Sequence, residues 1–329
     1  MEPNLMREIT YSQALREAIS EEMERNPNIL LLGEDIGVYG GVFKVTEGLL
    51  ARFGPERVIE TPISEAGFIG AAIGLAMTGK HPMAELMFMD FAWVASDQIF
   101  NQAAKMRYMS GGRASVPLLI RTQQGGGRGN AAQHSQSLET IFTHIPGLKV
   151  AIPATPYDAK GLLKAAFRDP NPVVFIEHKL LYNTKGPVPV EEYTLPFGKA
   201  AIKRPGDDVT LVSYSRTLLF ALEAAEQAAT EGVEVEVIDL RTAAPLDLDT
   251  ILASVRKTNR LVIAHEAHRT LGLGAEIAAL VQEHAFDFLD APIERVGALD
   301  IPIPYSKPLE DEALPGTKHI LDAVRRLVA

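Results

Sequence analysis

The sequence predicts an α/β protein of two domains, each a mainly parallel sheet with helices on both faces. Three observations carry this. Short apolar runs alternate with helical periodicity along most of the chain, the signature of β-α-β units. That alternation breaks in a Pro-rich stretch near residues 185–206 and then restarts. The chain has 329 residues, 47% of them apolar, which is more than one hydrophobic core ordinarily takes up.

The elements follow in order. Ala14, Leu15, Ala18, Ile19 and Met23 fall on one stripe over residues 12–23, and Asn26-Pro27 stops that helix. A strand is expected over 29–32. Further apolar runs at 58–59, 83–89, 116–120, 148–152 and 173–176 read as buried strands, with helical patterns over 67–77, 92–108 and 157–167 between them. The crossing segment has no periodicity of its own. Beyond it come strands at 209–214, 233–240, 261–265 and 293–296, and helices at 218–230, 248–258, 274–285 and 317–328. The expected division is therefore 1–185, a linker over 186–206, and 207–329.

Composition excludes several functions. There is no cysteine, so disulfides, thiol nucleophiles and thiolate metal sites are absent, consistent with a reducing cytoplasm. A formal charge of −10 lacks the basic face that nucleic-acid binding needs. The start at Met1-Glu2-Pro3-Asn4 has neither a signal peptide's apolar core nor a presequence's acid-poor character, and reads as an unprocessed cytoplasmic terminus. The longest apolar stretch, 66–77, falls short of the roughly 20 residues of a membrane span.

Three stretches carry candidate chemistry. In Thr61-Pro62-Ile63-Ser64-Glu65-Ala66-Gly67, Glu65 stands where a strand ends and a small-residue helix begins. A carboxylate there can be held against a ligand in the strand-end crevice, or can simply cap first-turn amides. Gly67, Gly70 and Gly74 share one helical face and are expected to allow close packing against another element. Phe91, expected at a strand end, can stack on a flat heterocycle or pack in the core, and it precedes Asp97 and Asn101 one turn apart. The polar stretch Gly125-Gly126-Gly127-Arg128-Gly129 leads to Gln133-His134-Ser135. It is a loop whose histidine exchanges protons near neutrality, unless that histidine is incidental. The loop lacks the Lys-Ser or Lys-Thr ending of a P-loop, and Gly272-Leu273-Gly274 lacks the last glycine of a dinucleotide fingerprint. His265 and His268 have no metal-helix spacing and are expected in a strand-end loop, His144 stays ambiguous, and no nucleophile elbow exists.

Several blocks together resemble one family: Leu32-Gly33-Glu34-Asp35, Thr61-Pro62-Ile63-Ser64-Glu65, Asp97-Gln98 with Asn101-Gln102-Ala103-Ala104-Lys105, and Tyr108-Met109-Ser110-Gly111-Gly112. Ala132-Gln133-His134-Ser135-Gln136, Pro146-Gly147-Leu148-Lys149-Val150, Val237-Ile238-Asp239-Leu240-Arg241-Thr242 and Pro245-Leu246-Asp247 extend the match almost end to end. These are similar to the beta subunits of pyruvate, acetoin and branched-chain 2-oxo acid dehydrogenases, relatives of transketolase. The resemblance implies a transketolase-like pyrimidine-binding domain followed by a transketolase C-terminal domain. It also implies thiamine diphosphate as cofactor.

By that resemblance Glu65 hydrogen-bonds the aminopyrimidine ring nitrogen, Phe91 stacks on the pyrimidine, Glu34 belongs to the cofactor site, and His134 serves acyl transfer to lipoyl. A structural potassium ion is carried onto Leu118, Ala166, Phe167, Asp169 and Asn171. Val94 departs from a glutamine found in some pyruvate-specific members. No Gly-Asp-Gly segment is present to hold the diphosphate through Mg2+, so the resemblance implies a separate alpha subunit in an alpha2-beta2 assembly. The expected further partner is a dihydrolipoyl acyltransferase, through its lipoyl domain and its peripheral-subunit-binding domain, the latter steered by Leu309-Glu310-Asp311-Glu312. Pyruvate is the expected substrate, with acetoin and branched-chain 2-oxo acids as alternatives. A noncatalytic docking subunit and a complete transketolase are the competing readings; the first sits poorly with Glu65, Phe91 and His134, the second with the missing diphosphate segment.

Overall fold

A computed structural model describes residues 5–329; the Met1–Asn4 start lies outside the described residues. The chain divides into two compact units. One takes the described residues up to Gln124 together with Ile141–Phe197, the other Gly125–Thr140 and Gly198–Ala329.

The first unit opens with β1 (Met6–Thr10) and α1 (Tyr11–Arg25). Thr10 starts the helix as a capping box: its hydroxyl accepts the Gln13 amide at 3.2 Å and the Gln13 side chain accepts the Thr10 amide at 2.8 Å. The predicted stripe of Ala14, Leu15, Ala18, Ile19 and Met23 is wholly buried. Next come β2 (Ile29–Gly33), α2 (Leu49–Phe53), β3 (Val58–Glu60), α3 (Glu65–Met77), β4 (His81–Leu86), α4 (Met106–Met109) and β5 (Leu119–Gln124). After the loop contributed to the other unit, α5 (Glu139–Thr143) leads back to β6 (Lys149–Ala151), α6 (Pro156–Phe167), β7 (Val173–His178) and β8 (Lys185–Pro189).

Six of these strands run parallel in the order β6-β7-β5-β4-β2-β3, and all residues of β2, β5 and β7 are buried, as strands covered on both faces must be. From β2 the chain moves outward to β3 and then returns past β2 to β4. The strand order thus reverses between β2 and β4, which opens a crevice at their carboxyl ends.

The second unit contains β9 (Ala201–Arg204), β10 (Val209–Ser213), α7 (Thr217–Thr230), β11 (Val235–Asp239), β12 (Thr242–Ala244), α8 (Leu248–Thr258), β13 (Leu261–His268) and α9 (Leu273–Ala285). It closes with β14 (Glu294–Ala298), α10 (Lys307–Ala313) and α11 (Thr317–Val328). Its sheet runs β14-β13-β10-β11-β9, parallel except for the edge strand β9. Helices α7 and α11 pack together, as do α8 and α9. Among the described residues no helix is long and apolar enough to cross a membrane.

Four local expectations are corrected. The helix expected over 92–108 is broken into a 3-10 turn at Met89–Trp93, a π turn at Gln98–Ala103 and α4. One polar side chain competes for its backbone, the Lys105 ammonium donating to the Phe100 carbonyl at 2.7 Å, while the Asn101 side-chain amide donates to the Asp97 carboxylate at 2.8 Å. The crossing segment carries β8, paired antiparallel with β1, and β9; Pro187 and Pro189 are tolerated because that two-stranded ribbon needs donors along one edge only. Strand β13 continues through His265 and His268, which therefore lie on the strand rather than beyond it. Of the glycines on α3, Gly70 packs against Gln98, whereas a Cβ on Gly74 would meet nothing within 4 Å.

Candidate functional site

In the first unit the crevice between β2 and β4 is lined by acids. Glu34 follows β2 directly, because Gly33 runs so close to β4 that a Cβ there would lie 2.9 Å from the Glu85 carbonyl. Glu65 is the first residue of α3, after β3. Both are buried, at 8% and 6% exposure, which first-turn capping acids on a solvated helix end are not. The Glu34 carboxyl accepts the Ser64 amide and so ties the end of β2 to the start of α3. Burial pushes its affinity for a proton up, and the neighbouring Glu65 and Asp35 push it further. Its Oε1 is buried and has no hydrogen-bond partner in the protein, and neither has the hydroxyl of Thr61, which follows β3. A buried acceptor left in that state is stabilised by a ligand that donates to it.

Strand β4 ends at Leu86, so Phe91 sits not at the strand end but within the 3-10 turn five residues on. Its ring is half-buried, and Trp93 and Val94 beyond it are exposed at 53% and 56%. Beneath the crevice, Arg121 on β5 lies fully buried between Glu85 at 2.5 Å and Glu177 at 2.8 Å, and the Tyr182 hydroxyl donates to Glu177 at 2.5 Å. Two carboxylates on one bidentate guanidinium make a rigid shelf for the strand ends. Sequence reasoning had not singled out these residues; their only trace is charge inside apolar strands.

The residues assigned to potassium gather at the α6–β7 turn. The Leu118 carbonyl accepts the Val173 amide at 2.9 Å, the Ala166 carbonyl accepts the Asp169 amide at 3.2 Å, and the Asp169 carboxylate bonds Lys149 and the Asn171 amides. Among the described residues no group of three or more acids or histidines is placed to hold a metal.

His134 lies in the second unit, half-buried, three residues after Ala131 in a loop where Gly125, Gly127, Gly129 and Ala131 all have positive φ. Successive amides of this loop converge on two buried carboxylates of its own unit. Gly126 donates to Glu266 at 2.7 Å, Gly127 to Glu310 at 2.7 Å, and Gly129 to both Glu310 oxygens at 3.2 and 3.1 Å. The anion nest that a glycine-rich loop offers is thus filled by the protein itself. Glu310 is fully buried, so the acidic surface expected at 309–312 is reduced: Glu310 is spent inside, and Asp311 pairs with Lys307.

Where the loop ends, the Glu139 carboxyl accepts the Tyr214 hydroxyl at 2.6 Å, and burial, with Glu266 nearby, raises its pKa to about 7. The Tyr214 ring stacks on His265, whose pKa burial lowers to about 4, so that histidine is neutral and structural.

The chain matches the family described as transketolase, pyrimidine binding domain, over residues 7–185, and that described as transketolase, C-terminal domain, over residues 198–320. These two domains define a transketolase-type protein, and a solved structure titled split gene transketolase, inactive beta4 tetramer, shares the fold. It has a TM-score of 0.79 at 24% identity, covering 97% of this chain and 98% of that one. The acetoin:2,6-dichlorophenolindophenol oxidoreductase subunit beta of Bacillus subtilis is 49% identical, covering 98% of each chain. The pyruvate dehydrogenase E1 component subunit beta of Rickettsia felis is 47% identical, covering 97% of this chain and 98% of its own, and that of Rhizobium meliloti is 48% identical over 97% and 70%. The chain belongs to the family of 2-oxo acid dehydrogenase E1 beta subunits, which are thiamine diphosphate dependent.

Proposed function

We propose that the chain, joined by an alpha subunit in an alpha2-beta2 assembly in the cytoplasm, decarboxylates pyruvate and acylates the lipoyl group of a dihydrolipoyl acyltransferase. The observation that carries the reading is the buried Glu34–Glu65 pair, with an unpartnered oxygen on Glu34, where the strand order reverses. In the overall change C1 of pyruvate leaves as CO2. The electron pair of the broken C–C bond ends on the lipoyl disulfide, which takes up a proton and opens to one thioester and one thiol.

Thiamine diphosphate, when bound, supplies the electron sink for the decarboxylation. Glu65 holds and exchanges a proton at the aminopyrimidine ring nitrogen, a task suited to a buried carboxyl on a rigid helix start. Glu34, whose proton affinity is raised, limits repulsion between the two acids and offers Oε1 to a donor. Phe91 presents a half-buried ring for stacking. His134 moves a proton during acyl transfer. The diphosphate and its Mg2+ fall to the alpha subunit. A potassium ion at the 166–171 turn would be held by the second lone pairs of the Leu118 and Ala166 carbonyls, since Lys149 already neutralises Asp169.

The acetoin relatives at 49% identity favour acetoin as the second reading. The reconstituted tetramer is to be assayed with an artificial electron acceptor against pyruvate, acetoin and branched-chain 2-oxo acids. Highest kcat/KM on pyruvate is expected; preference for acetoin moves the chain to the second reading, and no turnover on any of them sinks both.

A further inference from the structure

We propose that Glu310 is a positioning residue: its buried carboxylate pins the glycine-rich loop and through it holds His134 in place for acyl transfer. The second half of this rests on the functional reading of His134; the first half stands on geometry alone. Three hydrogen bonds from two glycine amides, those of Gly127 and Gly129, end on the two oxygens of a carboxylate with no solvent exposure. Gly126 is fixed in parallel by Glu266, whose Oε1 is also 3.5 Å from the Ser137 hydroxyl on the far side of His134. The loop is thus held on both flanks of the histidine by acids from β13 and α10.

Bonds from amides to an ionised acceptor are roughly twice as strong as neutral ones. Between Gly125 and Leu138 the loop forms no helix or strand, and the Gly125 amide closes its base by donating to the Gln136 carbonyl at 3.1 Å. Close packing reinforces the pin: a Cβ on Gly126 would lie 2.7 Å from Leu314, one turn beyond Glu310, and 3.6 Å from Ile303. The same loop, through Ala132 and Gln136, walls a cleft of about 520 Å³ that His268, Thr270 and Asp300 line from the other side. Releasing the pin therefore moves the histidine and opens that wall together.

The chemistry selects a carboxylate. Glu310→Gln keeps the size but removes the charge, and it replaces one acceptor oxygen by an NH2 group facing the Gly129 amide. Glu310→Asp keeps the charge and shortens the reach by one methylene.

The test is amide hydrogen exchange on the full chain, followed by the two half-reactions in the reconstituted assembly. Glu310→Gln is expected to speed exchange at least tenfold in peptides covering 125–137 while leaving the β10 and β11 peptides unchanged. Acyl transfer to a lipoyl domain is expected to fall by on the order of a hundred-fold, the cost of a small misplacement, with decarboxylation measured by an artificial acceptor retained. Glu310→Asp is expected to restore part of both. A merely structural role would slow both half-reactions and raise exchange throughout the unit, and that outcome overturns the proposal. Unchanged exchange in the loop overturns it as well. If Glu310→Gln fails to fold, Glu310→Asp decides alone: exchange raised only in the loop supports pinning, and wild-type exchange rejects it. His134→Ala is run alongside: full acyl transfer in that variant removes the histidine from the mechanism, while the exchange result still decides whether Glu310 pins the loop.

Discussion

The buried acids of the two units live under opposite conditions. In the first, burial and the neighbouring Glu65 and Asp35 raise the cost of ionising Glu34, which keeps an oxygen without a partner. In the second, both oxygens of Glu310 accept from backbone amides. Leaving a buried acceptor unmet costs roughly 1–3 kcal/mol, which a fold tolerates where a ligand removes the penalty. Giving each oxygen a donor from the protein yields scaffold instead. The contrast separates an acid with an oxygen open to a ligand's donor from acids bonded into the scaffold, although both kinds are buried.

The sharpest way to break that contrast is at Glu65. In the reconstituted enzyme Glu65→Gln and Glu65→Ala are expected to lower decarboxylation by about a hundred- to ten-thousand-fold, the usual weight of a general acid–base group. Were Glu65 only a helix-start acid, its loss would cost roughly 0.5–2 kcal/mol of stability and little turnover. Turnover and a melting curve on the same preparations tell the two apart, and near-normal turnover in Glu65→Gln ends the cofactor assignment.

A smaller effect is expected at Glu34. Glu34→Gln removes the charge that faces Glu65 and keeps an acceptor. Because the Glu34 pKa is raised, its contribution to stability is present at acid pH and lost as pH rises through the folded value, so the variant should melt above wild type at pH 8 and close to it near pH 4.5. If Oε1 is kept for a donor on the cofactor, the same variant binds thiamine diphosphate about tenfold more weakly, because an amide oxygen accepts without the charge assistance of a carboxylate. A stabilised variant with unchanged cofactor affinity would place Glu34 with the architectural acids.

What could be read from sequence follows the same division. Helices with buried periodic stripes, such as α1 and α11, and a strand buried on both faces, such as β7, are legible because burial imposes a period or a continuous apolar run on the residues themselves. Over 92–108 the apolar period is real, since Ala92, Ala95, Ile99 and Ala103 are buried, but such a period does not reveal that the backbone runs through a 3-10 and a π turn on the way to α4. Glu65 stands out through its strand-to-helix junction, His134 through the glycine-rich loop that it ends, and Phe91 through an expected strand-end place that the 3-10 turn corrects, all three also through resemblance. Glu310 and Glu266 did not, since their partners are glycine amides about 180 and 140 residues away, and no local spacing encodes such a contact. Arg121 and Glu177 were hidden for the same reason, each an isolated charge inside an apolar strand until the sheet brings them together.

Glu139 is the acid that least fits the contrast, and it gives the finest test. It lies in the second unit, fully buried, with one oxygen accepting from Tyr214 and Oε2 without a partner, so by satisfaction alone it belongs with Glu34. The protein resolves this by protonation: burial, aided by Glu266 and opposed by the Tyr214 hydroxyl, lifts its pKa from 4.5 to about 7. The folded state therefore binds this proton more tightly than the unfolded chain. Its contribution to stability is complete below about pH 4.5 and is lost as pH rises through about 7, a swing on the order of 3 kcal/mol at most. Glu139→Gln keeps an acceptor for Tyr214 and removes the titration. Its melting temperature should match wild type at pH 5 and exceed it by several degrees at pH 8, and His265, present in both proteins, cancels from the difference. Parallel melting curves across that range would mean that Glu139 stays ionised, leaving an unprotonated and underbonded acid in the second unit. The two units would then no longer differ in how they treat buried carboxylates.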